Sequence, residues 1–305
     1  MMNEIIKIEN LTKDFGQGRG IFDVNLSIKR GEVFGLVGIN GSGKTTIMRH
    51  LMGFLHPDKG RSQIMDGDCW HHSAELKKYV GYIPGEISFP DVRTGVDFLK
   101  LQADYMGLRS MNDANELIES LNLDPTAKLK RMSKGMKQKT AIVNAFMCDS
   151  DILLLDEATT GLDPLMQKSF TEIIKKEKRK GKTIFMSSHM FDEMESTCDR
   201  VAFLKDGRII HVVDMKTILG NEKSKEYKIE FNKESDYLAF LTKDFDITRQ
   251  KDEYNQVTIR IPDTHSDRLF RVLSSMDVRF ISHMPYTLEM CFKEVYNNAN
   301  NTEVA

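Results

Sequence analysis

The 305-residue chain has little cysteine, proline or tryptophan: four, seven and one residue, respectively. Cys69, Cys148, Cys198 and Cys291 stand far apart. No two of them have the spacing of a zinc or redox motif, and a chain of this length needs no disulfide scaffold, so reduced thiols in a cytoplasmic setting are expected. No apolar run approaches the roughly 20 residues that cross a bilayer. The opening residues Met1-Met2-Asn3-Glu4 lead into apolar positions interleaved with charge, which reads as a strand and not as a signal peptide. Charge of one sign is also missing. With 43 basic and 45 acidic residues the formal charge is −2, so no nucleic-acid partner is expected.

What is present is a 40% hydrophobic content, enough for one large domain or one domain plus a smaller one. The eighteen methionines mostly fall among other apolar residues at helical spacing, which assigns them to core filling. The most informative stretch is Gly38-Ile39-Asn40-Gly41-Ser42-Gly43-Lys44-Thr45-Thr46, which fits G-x-x-x-x-G-K-[ST]. The apolar run Val33 to Val37 leads in as a buried strand, and Thr46 to Met52 leads out with helical spacing ending at Gly53. A loop whose amides must all face a polyphosphate needs conformations that a Cβ obstructs, and glycine supplies them. The helix adds its positive end, Lys44 reaches the β- and γ-phosphates, and the Thr45 hydroxyl is placed to ligate Mg²⁺.

Further strands are expected at Ile5 to Ile8, Val24 to Ile28, Val80 to Pro84, Ile152 to Leu155, Thr183 to Met186, Val201 to Leu204 and Arg208 to Val212. Between them, Thr94 to about Leu123 turns helical, with Val96, Leu99, Ala103 and Met106 on one face and a capping-box start at Ser110 to Asp113. A third helix runs from about Lys134 to Met147. Asp163-Pro164 caps the next one, whose basic end Lys175 to Lys182 suits the helix dipole. The polar stretch Gly220 to Lys225 marks a domain boundary. Beyond it the order is βαββαβ, a split-βαβ plan, closed by a helix from Thr287 to Tyr296 and an Asn-rich tail expected to be disordered.

Asp156-Glu157 directly follows the strand Ile152 to Leu155, which delivers two carboxylates to the strand end beside the phosphate loop. Asp156 would bind Mg²⁺ and Glu157 would polarise the attacking water. Together these residues resemble the nucleotide-binding ATPase subunits of ABC transporters. Ile152 to Glu157 looks like the Walker B strand with its catalytic glutamate, Thr160-Gly161-Leu162-Asp163 like the D-loop, and Ser187-Ser188-His189 like the switch-histidine strand end. Met132 to Met136, followed by Lys137-Gln138, stands at the LSGGQ signature, and Asp14-Phe15-Gly16 where that family places an adenine-stacking aromatic. The match in order and spacing runs from about Ile5 to Leu219.

The resemblance implies an α/β fold: a P-loop NTPase (RecA-like) core with an antiparallel β-subdomain and a helical insertion at about 94–147, then a small α+β, ferredoxin-like domain at 225–297. It further implies ATP and Mg²⁺ as ligands, a second ATPase subunit as partner, and a separate membrane permease holding the protein at the cytoplasmic face. Two ATP molecules would lie between two subunits. Phe15 would meet adenine; Asn40, Gly41, Ser42, Gly43, Lys44, Thr45 and Thr46 would hold phosphate; Thr45, Asp156 and Glu86 would serve the metal. His189 would contact the γ-phosphate, Asp163 would belong to the D-loop, and Ser133 and Gly135 would come from the opposite subunit. Catalysis would rest on Glu157, His189 and Lys44.

Three departures qualify the resemblance. Lys134 and Met136 replace the first Gly and the Gln of the signature, Ala158 replaces a usual Pro, and Gly85-Glu86 stands where the Q-loop glutamine belongs. The expected function is an ATPase subunit powering an exporter of drugs, peptides or lipids. Alternatives are a non-transport ABC-type ATPase acting on nucleic acid or ribosomes, and an ATP-gated ligand-binding switch.

Overall fold

The computed structural model describes residues 4–219, 224–262 and 265–302. The chain folds into two compact units, Met1–Val213 with Val295–Ala305, and Asp214–Glu294. The division falls ahead of the polar stretch 220–225 expected from the sequence, of which 220–223 lie outside the described residues.

In the first unit, β1 (Glu4–Asp14) pairs antiparallel with β2 (Gly20–Lys29), and β2 alternates buried and exposed positions as a half-buried sheet requires, while β1 is interrupted by register shifts. β3 (Val33–Val37) is buried at every position and feeds α1 (Lys44–Leu51). β4 (Lys59–Ile64) and β5 (Gly67–Asp68) complete a four-stranded sheet of order β2-β1-β4-β5. After the short α2 (Ser73–Leu76) comes β6 (Val80–Ile83), then the helices α3 (Gly95–Met106), α4 (Asn112–Ser120) and α5 (Lys134–Phe146). The chain continues through β7 (Ile152–Asp156), α6 (Pro164–Arg179), β8 (Thr183–Ser188), α7 (Phe191–Thr197), β9 (Arg200–Lys205) and β10 (Arg208–Asp214).

The second sheet has the order β10-β9-β3-β8-β7-β6. Its β9-β3-β8-β7-β6 pairs are all parallel. Register then fixes the site: Val37 lies opposite Ser188, Ser187 opposite Asp156, and Leu155 opposite Ile83. The ends of β3, β8, β7 and β6 therefore share one edge. Ile6, Leu11, Ile28, Phe34, Leu36, Ile47, Leu154 and Phe185 are fully buried in a core shared by the two sheets, each contributing about 1.5–3 kcal/mol.

Two details of the helical stretch differ from expectation. The buried stripe of α3 is Gly95, Phe98, Leu99 and Ala103, with Val96 half-buried and Met106 exposed, because the face that packs is rotated by about one position. Ser110 forms no capping box. It accepts from Asn112 N at 3.1 Å while Met111 occupies the N-cap, and the box belongs instead to Thr94 and Asp97 at the start of α3.

The second unit contains α8 (Met215–Leu219), β11 (Ser224–Phe231), α9 (Glu234–Leu241), β12 (Asp246–Lys251), β13 (Gln256–Pro262), α10 (Ser266–Leu273) and β14 (Val278–Met284). The sheet order is β12-β13-β11-β14, antiparallel throughout. The cap expected at Thr264 lies outside the described residues. The last helix, α11 (Leu288–Thr302), runs beyond the expected end at Tyr296 and replaces most of the expected disordered tail; 303–305 lie outside the described residues. Lys205 Nζ lies 4.8 Å from the centre of the Tyr296 ring, a cation–π contact that holds this part of the helix.

Candidate nucleotide-binding and hydrolysis site

Gly43 is the N-cap of α1 with φ 110°, and a Cβ there would come within 2.6 Å of Ile21 Cγ2. Only glycine fits that turn. The helix thus begins at Lys44, directly after Gly43 as expected, and aims its free amides into a cavity of about 490 Å³. Asn40, Gly41, Gly43, Lys44, Thr45, Thr46, Glu86 and Glu157 all line that cavity. Lys44 Nζ is buried, donates to Gly38 O at 2.7 Å and Ile39 O at 3.2 Å, and stands 3.4 Å from Glu157 Oε1. Ser42 is buried beneath the loop rather than on its wall, and its carbonyl accepts from Gly207 N at 3.0 Å.

Asp156 ends β7 with no exposed surface. Its Oδ1 accepts from Ser187 Oγ at 2.5 Å, while Oδ2 has no partner among the described residues. A Cβ on Gly85 would lie 2.8 Å from that Oδ2 and 3.5 Å from Thr45 Oγ1, so the missing side chain leaves a space bordered by both oxygens. A buried carboxylate oxygen without a hydrogen bond and a neighbouring hydroxyl are hard donors, and they fit a small hard cation that brings its remaining ligands from water and phosphate. The charge of Asp156 is felt nearby, too. Burial first, and Asp156 second, push the Tyr82 hydroxyl up to about 12.

Glu157 follows at φ 52°, a left-handed conformation that costs a non-glycine residue roughly 1–2 kcal/mol. Its amide is held by Ser187 O and Ser187 Oγ, each at 3.1 Å. Its Oε2 meets His189 Nδ1 at 2.6 Å and accepts from Thr160 Oγ1 at 3.1 Å. A carboxylate oriented by an imidazole at the rim of a phosphate cavity is equipped to take a proton from water.

The remaining expected residues lie elsewhere. Phe15, about half exposed, sits on the turn after β1 and is not part of the cavity wall. Ser133 caps α5 by accepting from Met136 N at 3.2 Å, and Gly135 packs against Gly161 O. Asp163 caps α6 through Met166 N at 3.0 Å. Ser187, Thr160 and Arg49 are site residues to which the sequence motifs give no role of their own. The pairing of Ser187 with Asp156 depends on parallel register, which no local pattern reports.

The family pattern described as ABC transporter matches residues 21–160. The ABC transporter ATP-binding protein NatA of Bacillus subtilis is 34% identical over 220 residues, covering 70% of this chain and 89% of the relative. The chain belongs to the ABC transporter family of ATP-binding proteins. The bacitracin transport ATP-binding protein BcrA of Bacillus licheniformis is 28% identical over 279 residues, 90% of this chain and 87% of that protein. A solved ATP-binding subunit of an ABC transporter superposes with a TM-score of 0.64 at 28% identity, covering 71% of this chain and 92% of the other. The fold is therefore the ABC ATPase cassette with its P-loop NTPase core. No described helix is long and apolar enough to cross a membrane. ABC ATP-binding subunits generally work with membrane permeases and as dimers.

Proposed function

We propose that this ABC ATPase hydrolyses ATP to drive export through a separate membrane permease at the cytoplasmic face of the membrane. The observation that carries the hydrolytic part is the Lys44–Glu157–His189 arrangement around the phosphate cavity. Lys44 offsets charge on the β- and γ-phosphate oxygens, and Glu157, oriented by His189, accepts the proton of the water that attacks the γ-phosphorus. ADP and phosphate are the products. Thr45 Oγ1 and Asp156 Oδ2 would hold Mg²⁺, which would neutralise phosphate charge when bound, with Glu86 placed to serve it through water. Phe15 stacks on adenine. A second ATPase subunit supplies Ser133 and Gly135, at the N-terminus of a helix suited to anions, with Asp163 in the D-loop between the sites.

Export, of drugs, peptides or lipids, rests on the likeness to the bacitracin transport protein over nine-tenths of the chain. The nucleotide-binding domain expected over residues 1–220 corresponds mainly to the first compact unit, and the accessory domain expected over 225–297 mainly to the second, whose order β12-β13-β11-β14 is in keeping with a ferredoxin-like plan. The test is ATP hydrolysis by the purified subunit, alone and with a candidate permease in vesicles. Stimulation by the permease is the expected result; stimulation by nucleic acid or ribosomes instead overturns the transport reading.

A further inference from the structure

Behind the Glu157–His189 pair lies a second acid that the hydrolytic scheme does not use. Glu193, on the first turn of α7, is 7% exposed. Its Oε2 accepts from Thr159 Oγ1 at 3.2 Å, whereas Oε1 has no partner among the described residues. The Ser188 hydroxyl accepts from Met190 N at 3.0 Å. Thr159 is two residues after Glu157, and Ser188 immediately precedes His189. One buried carboxyl on the helix that follows His189 thus holds the turn that follows Glu157.

Burial raises the Glu193 carboxyl above its ordinary range, opposed by the Ser188 and Thr159 hydroxyls, with Glu157 adding to the rise and His189 opposing it. A buried, half-satisfied acid is a costly way to fill a core position that an apolar side chain could occupy. Its placement, however, addresses a specific need. Glu157 holds a left-handed backbone, and such strain persists only where neighbours over-determine it. Ser187 fixes the amide side of Glu157, Gln138 Nε2 fixes Ala158 O from α5 at 2.7 Å, and Glu193 fixes Thr159 from α7.

We propose that Glu193 is a positioning residue for ATP hydrolysis, locking the turn after Glu157 to α7, the helix that follows His189, through the hydroxyl of Thr159. The proposal rests on the hydrolytic reading above. It belongs to the chemical step: Glu193 lines no part of the phosphate cavity, so nucleotide binding does not depend on it.

The experiment compares steady-state ATP hydrolysis by the full chain with that of Glu193→Ala, Glu193→Gln, Thr159→Val and the Glu193→Ala/Thr159→Val double variant. Glu193→Ala is expected to lower kcat about tenfold with KM for ATP within about twofold of the parent, the scale of one or two lost buried hydrogen bonds. Glu193→Gln, which retains an acceptor for Thr159, should keep kcat within about threefold. Thr159→Val should lose about as much as Glu193→Ala, and the double variant no more than the larger single loss. Parental kcat in Glu193→Ala, a KM that rises as kcat falls, or additive losses in the double variant would each overturn the proposal. If Glu193→Ala does not fold, Thr159→Val alone decides, through its kcat. Glu157→Gln serves as the separate check, since parental hydrolysis in that variant removes the hydrolytic reading itself rather than the role of Glu193.

Discussion

The turns after β7 and β6 are neighbours in one parallel sheet, and both border the same cavity, through Glu157 and Thr160 in the first and Gly85 and Glu86 in the second, yet they are built in opposite ways. After β7 the chain is held at four successive residues: Glu157 by Ser187 and His189, Ala158 by Gln138, Thr159 by Glu193, and Thr160 by Glu157 itself. After β6, Gly85 and Glu86 are exposed, and Glu86 makes no side-chain hydrogen bond or ion pair among the described residues. Such fixing is what the proposed role of Glu157 requires, since a small displacement of a proton acceptor costs rate. The second is exposed at the cavity and has no such side-chain anchors among the described residues.

The contrast can be tested in order of expected effect. Glu157→Gln should reduce phosphate release at least about a hundredfold while ATP still binds, since general-base catalysis contributes about 10²–10⁴. A parental rate would mean that the rigid turn is not the chemical one. Ser187→Ala removes the hydroxyl bonded to both Asp156 Oδ1 and Glu157 N, and should cost about tenfold in kcat with roughly 1–3 kcal/mol of stability, read from rates and denaturant unfolding. Gly85→Ala pushes a methyl toward Asp156 Oδ2; the Mg²⁺ concentration for half-maximal hydrolysis should rise several-fold, with ATP binding in EDTA little changed. Glu86→Gln and Glu86→Ala should alter the basal rate only about two- to threefold, on the scale of an exposed charge, and permease stimulation more strongly. Unchanged ATPase and unchanged transport in both would sink the assignment of Glu86 to the metal's water shell.

The smallest effect is a pH dependence of stability. The Glu193 carboxyl sits above its ordinary value of 4.5 in the folded chain, chiefly through burial. A raised carboxyl favours folding while protonated, and that contribution is lost as pH rises through the folded value. Glu193→Gln does not titrate there, so its Tm should gain on that of the parent between about pH 5 and pH 8. A difference that stays flat or reverses would contradict burial as the dominant influence on this group.

Burial also accounts for the cysteines. All four are free, and burial pushes Cys69 and Cys198 up to about 12, which keeps those thiols protonated and inert.

Much of the site is written locally. A glycine loop between a buried strand and a helix, and two carboxylates at the end of another buried strand, carry their meaning in spacing alone, because phosphate and metal chemistry restrict which residue types serve. The cap at Asp163 is equally legible, since capping is a contact between residues three apart. The capping box at Thr94–Asp97 carries the same local signature, whereas the box expected at Ser110 does not form. The rotated face of α3 is not legible, because neighbouring spacings of apolar residues differ only in which side meets the core.

By itself, then, the sequence determined where the glycine loop and the paired carboxylates stand and where strands and helices alternate, because both depend on side-chain type and near neighbours. Tertiary structure decided the rest: which strand ends share an edge, that Ser187 serves both Asp156 and Glu157, that Gly85 opens a space beside Asp156 Oδ2, and that Glu193 lies behind the histidine. Those relations join residues about 30 to 70 positions apart, and only the parallel register and the packing of α5 and α7 on the sheet bring them within hydrogen-bonding reach.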